Sequence, residues 1–142
     1  MFDFYALPND FPGMDCAISN ARKKVENIEN ALKEAIALYK FIPYIQLHES
    51  EALLFTDIRM LKAELPTKDA EIDQLYLSTK DIPPEDINNS PETAPSKRIL
   101  SFLPSYDKVS NGVSVAEAIT VDKLCESCPH FKSWIDSLKG LA

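Results

Sequence analysis

A chain of 142 residues, 45% hydrophobic and 26% charged, has the size and balance of one folded domain. Its net charge of −7 argues against a protein that coats nucleic acid through a basic face, although a bound cation could still bring phosphate to it. Three cysteines give no disulfide framework, so a reducing, cytoplasmic setting is expected; no apolar run reaches the about 18 residues of a membrane span, and none of the glycine-loop motifs occurs among three glycines.

Residues 1–5, "MFDFY", read as the end of a strand, and residues 6–14 as a loop punctuated by two prolines and Gly13. Val25, Ile28, Leu32, Ala35, Ile36 and Tyr39 recur three and four apart, which predicts a helix over 20–39 with Ser19 or Asn20 as its cap. Phe41–Leu47 is aromatic and β-branched and reads as a strand, with Pro43 near its start or at a sheet edge. Ser50 begins a helical segment carrying Leu53, Leu54 and Phe55. Residues 58–80 predict two short helices broken at Pro66-Thr67, and 81–95, with four prolines, a long connection. Short helices follow over 97–103, 115–119, 121–127 and 131–138, with turns at Pro104, Asn111-Gly112 and Cys128-Pro129. The expected fold class is a helix-rich α/β arrangement.

Three constellations could carry chemistry. If 1–5 and 41–47 are parallel neighbours joined by the 20–39 helix, they form a βαβ unit, and ligands bind outside the carboxyl ends of such strands. Asp3, His48 and Glu49 would then lie at those ends, and two carboxylates there suit Mg²⁺, a hard ion that activates water or polarises a phosphoryl oxygen. The competing reading is that Glu49 and Glu51 merely open a helix and His48 packs at a strand end. "CESCPH" holds half of a zinc site in Cys125 and Cys128, but small buried thiols before a proline-initiated helix explain it better. Lys97 and Arg98 at a helix start could take a phosphate or carboxylate, or could simply be solvated. Phe131 and Trp134 lie three apart and should anchor the last helix.

"MFDFYALPNDFPG", "FIPYIQLHESEALLFTD", "ETAPSKRIL", "YDKV" and "CPHFKSWIDSL" together resemble, in the same order, an uncharacterised prokaryotic family of Toprim-like proteins. That family is often encoded beside an ATPase and associated with phage defence. The resemblance implies a compact α/β sheet whose acidic strand ends bind Mg²⁺ for nucleic-acid phosphodiester chemistry. It implies Asp3, Glu49 and Glu51 as the metal-binding set, Glu51 supporting the other two, with His48 and Glu49 as catalytic groups. It also implies an ATPase partner, and nucleic acid as a partner only where the metal site is complete.

The chain departs from the family pattern. Tyr5 stands where the second Asp of an acidic pair is expected, and the Glu of a preceding strand has no counterpart. Residues 1–57 are thus expected to be the remainder of a Toprim-like sheet, and 58–142 a helical region packed on it. Without upstream strands, Phe2, Phe4, Ile42 and Ile45 would lack partners. Each large side chain left exposed forfeits about 1.5–3 kcal/mol of a total stability of about 5–15 kcal/mol. A chain that is marginal, self-associating or a fragment is expected, either a metal enzyme lacking part of its site or a non-enzymatic subunit that binds a partner.

Overall fold

The structure, a computed structural model, describes residues 2–88 and 93–141. The fold is helix-rich α/β: a parallel pair of two-residue strands and seven α-helices among the described residues. Strand β1 (Phe2–Asp3) pairs with β2 (Ile45–Gln46), Phe2 opposite Ile45 and Asp3 opposite Gln46. Helix α1 (Ala21–Ile36) connects them, so the βαβ unit expected from the sequence is present.

Both strands are shorter than their sequence patterns predict. Phe4–Ala6 turns into a 3₁₀ helix, and residues 41–44 run without a ladder. Pro43 has no donor to give one. The outward amide of β2 is also consumed, because Ile45 N–H donates to Glu29 Oε1 of α1 at 2.7 Å. A side chain therefore sits where a third strand would pair, and the sheet can extend only from β1.

Asn20 caps α1, accepting the Lys23 amide at 3.0 Å, as its position predicts. The helix stops at Ile36 rather than Tyr39, because Ala37 adopts a left-handed conformation (φ 49°). Tyr39, placed by periodicity on the core face, is instead 89% exposed. The buried face is carried by Val25 and Ile28, which pack on Ile45 and Leu47 with Phe4, Leu7 and Phe11 closing the edge. Gly13 (φ 81°) lets the preceding loop lie against α1, since a Cβ there would come within 3.0 Å of the Ile28 Cα.

A 3₁₀ segment, Ser50–Met60, kinks at Asp57 and leads into α2 (Leu61–Glu64). Ser50 does not cap it; its hydroxyl donates to Glu51 Oε2 at 3.3 Å instead. The break at Pro66-Thr67 falls as predicted before α3 (Asp69–Thr79). Residues 89–92 of the proline-rich connection lie outside the described residues; Pro84–Asp86 of it form a 3₁₀ turn. Then come α4 (Pro95–Phe102), α5 (Asn111–Ala118), α6 (Val121–Ser127) and α7 (Pro129–Lys139). Asn111-Gly112, read from sequence as a turn, forms the first turn of α5, set up by Asp107, whose carboxylate accepts the Ser110 amide at 2.7 Å.

The larger core joins Leu54, Ile58 and Leu61 to Ile72 and Leu75 of α3, Ile99 of α4 and Val115 of α5. A third cluster seats Tyr44 between His130, Phe131 and Trp134, with ring centroids 4.9–5.9 Å apart. Phe131 and Trp134 thus anchor α7 as their spacing predicts.

Candidate functional site

Because β1 and β2 are parallel, their carboxyl ends lie at the same edge. Asp3 closes β1, and two residues beyond β2 the chain turns at His48, whose φ of 65° is unusual for a side-chain-bearing residue. That turn sends Glu49 and Glu51 back over the end of the sheet, where their charges act on Asp3. Burial is the main force holding the Asp3 carboxyl above its usual range; Glu51 and Glu49 add to it, while Lys108 and the Ser50 amide oppose it.

Each of the three carboxylates is already engaged. Glu51 is only 3% exposed, and Lys108 Nζ lies 2.9 Å from its Oε1. Glu49 Oε2 accepts the Ser96 amide at 2.9 Å, so the N-terminus of α4 takes one of the protein's own carboxylates. This also answers the expectation of an anion at "PSKR": the helix end is filled from within, with Lys97 exposed and Arg98 half-buried beside it. Burial lowers the Lys108 affinity for its proton, but the hydrogen bond and charge of Glu51, with Glu49 and Asp3, raise it overall.

His48 is half-buried, with Nδ1 3.3 Å from the Asn88 side-chain amide. Burial pulls its pKa down, against the charges of Asp86 and Glu49. A neutral imidazole at neutral pH follows, able to accept or donate one proton but carrying no charge for a phosphate.

The donor chemistry of Asp3, Glu49 and Glu51, all carboxylate oxygen, is that of Mg²⁺. Their placement is not: among the described residues no three His, Cys, Asp or Glu side chains gather closely enough to hold a metal ion. An ammonium and a helix terminus occupy the positions a dication would neutralise. As placed, these residues do not form a ready Mg²⁺ ligand set.

Two groups that anchor this architecture carried no usable signal in the sequence. Lys108 lies in "YDKV", nearly sixty residues from the carboxylate it pairs with. Glu85 is 1% exposed and accepts the His130 and Phe131 amides at 3.0 and 2.9 Å and Arg22 Nη2 at 3.2 Å. It caps α7, whose first residue is Pro129 and whose Cys128 cap offers no side-chain bond. Cys128 itself is a buried thiol pushed up to about 11 by burial, 3.6 Å from the Thr56 hydroxyl, and inert as a nucleophile.

No curated protein and no solved structure matches the chain significantly. A family model does, over residues 1–139, and it spans the strand ends, Lys108 and the α7 cap alike. By that match the chain belongs to the DUF4276 family, a domain of unknown function.

Proposed function

We propose that this protein acts by binding rather than by catalysis, as a non-enzymatic subunit of a larger assembly. An ATPase is the partner class that the Toprim-like resemblance implies. The observation supporting this reading is the engagement of all three strand-end carboxylates: Glu51 by Lys108, Glu49 by the α4 amide, and Asp3 by the Ser50 amide. An internal ammonium paired with a carboxylate competes with a dication for that charge. The outer edge of β1, with Phe2 57% exposed beside it, offers a surface for a partner.

The test is twofold. Isothermal titration of Mg²⁺ and Mn²⁺ into the purified chain is expected to give no saturable heat, and incubation with plasmid DNA or RNA no metal-dependent cleavage. Co-expression with an ATPase encoded beside its gene is expected to yield a stable complex that Phe2→Asp weakens. Cleavage that requires Mg²⁺ and is lost in Asp3→Ala would overturn the proposal.

That outcome would favour a second reading, which rests on the convergence of Asp3, Glu49 and Glu51 at one end of a parallel pair. In it the chain belongs to a Mg²⁺-dependent phosphodiester enzyme of phage defence. Asp3, Glu49 and Glu51 would hold the ion once Lys108 is displaced, and His48 would position a water or donate a proton.

A further inference from the structure

A cleft of about 240 Å³, lined by none of the strand-end carboxylates, opens between the 3₁₀ segment, the end of α3, the start of the proline-rich connection and the end of α6. It is smaller than the about 300–1,000 Å³ of sites for drug-sized ligands, and has room for about eight waters at about 30 Å³ each. Half-buried Thr56, Tyr76 and Ser127 line it with buried Thr79 and exposed Lys80. Among the described residues no carboxylate lines it, in a chain of net charge −7. Arg59 lies over the Tyr76 ring, its guanidinium carbon 4.4 Å from the centroid, and holds that wall in place.

The polar groups of these walls are left open by the fold. Neither the Tyr76 nor the Ser127 hydroxyl has a hydrogen-bond partner among the described residues. The Thr56 hydroxyl has only the Cys128 sulfur, 3.6 Å away. The Thr79 hydroxyl gives its proton to the Leu75 carbonyl at 3.0 Å, so it can only accept from an occupant. Lys80 Nζ stands 3.9 Å from Asp81 Oδ2, beyond a hydrogen bond, and can only donate. A phosphate or carboxylate, which only accepts, would meet a single ammonium, the Thr79 lone pairs and the partly negative carboxyl ends of α3 and α6. A cation would meet Lys80. A hydroxyl both donates and accepts, and so answers Thr79, Lys80 and the three uncommitted hydroxyls alike. Phe55, Ile82 and Pro84 supply apolar surface for a carbon skeleton.

We infer that this cleft binds a small neutral polyhydroxyl ring, the size of one sugar. Its hydroxyls engage Thr56, Tyr76, Thr79, Lys80 and Ser127, and its carbon skeleton lies against the apolar walls.

The probes are D-glucose and D-ribose, with cyclohexanol as a ring bearing one hydroxyl and inorganic phosphate as the anionic control. Each is titrated into the full chain while the Thr56, Lys80 and Ser127 backbone amide resonances are followed. Saturable shifts at millimolar sugar, and none with phosphate or cyclohexanol, are expected. The tighter of the two sugars identifies the ring size. Tyr76→Phe and Ser127→Ala each remove a hydroxyl that has no partner within the protein, so the urea midpoint is expected to stay unchanged while sugar binding weakens by about three- to tenfold. Absence of saturable shifts with either sugar, binding of cyclohexanol or phosphate as tight as that of the sugars, or parental affinity in both variants would each overturn the inference.

Discussion

At the level of single residues, the strand-end cluster depends on a charge supplied from far along the chain. Glu51 is buried, and Lys108 reaches it at 2.9 Å. Lys108 is itself about half exposed, so solvent screens part of that attraction. Lys108→Met is therefore expected to lower stability by about 1–3 kcal/mol in urea unfolding, less than a fully buried pair would show. Glu51→Gln in the same background should recover part of that loss, because it removes the buried charge left unpaired.

Two titrating residues of the cluster give opposite pH signatures. The folded pKa of His48 lies below its ordinary 6.5, so the unfolded chain binds more protons in between. The His48 contribution is thus present above about pH 6.5 and is lost as pH falls toward the folded value. Asp3 is raised above 3.8, so its contribution is present below that value and lost as pH rises through the folded pKa. Urea midpoints measured from pH 4 to pH 8 should show the acid-side decline flattened in His48→Asn, which tolerates the left-handed backbone. Asp3→Asn should be more stable than the parent at neutral pH. A His48→Asn profile parallel to the parent would show that His48 does not titrate as its burial requires.

Elements here are held by carboxylates borrowed from elsewhere in the chain. Glu85 caps α7, Glu49 caps α4, and Glu29 closes the outer edge of β2. Glu85→Ala would strand two buried amides and the Arg22 guanidinium, and is expected to cost about 3–5 kcal/mol; Glu85→Gln keeps the acceptor and should cost less. Urea unfolding of the two variants, with hydrogen exchange at His130 and Phe131, checks this. The sequence revealed helices whose caps are local, such as α1 behind Asn20 and α6 behind Thr120, whose hydroxyl accepts the Lys123 amide. It gave no sign of a cap delivered from 45 residues away. The strand patterns over-reached for the same reason: Pro43 marks a start or an edge locally, but apolar residues cannot report that Glu29 takes the outer amide of β2.

For the molecule as a whole, the exposed edge of β1 is the feature with the largest consequence. Phe2, Leu38 and Tyr39 are exposed apolar side chains on or beside the βαβ unit, and a strand edge with apolar neighbours recruits other chains. Sedimentation velocity is expected to show weak, reversible self-association that Phe2→Asp reduces. A sharp monomer at every concentration would count against an interactive edge.

The sequence by itself determined the helix-rich α/β class and the helix joining two strand segments, because periodicity, turns and local caps are written within a few residues of one another; the parallel pairing it raised as a condition is supplied by the structure. Only the tertiary structure decided what the strand-end carboxylates do. Their partners, Lys108 and the Ser96 amide, arrive from the helical half, and pairing across nearly fifty or more residues leaves no local pattern to read. Burial then fixes the outcome, since a carboxylate enclosed with an ammonium is neutralised by it, whatever ion the same residues would hold in open water.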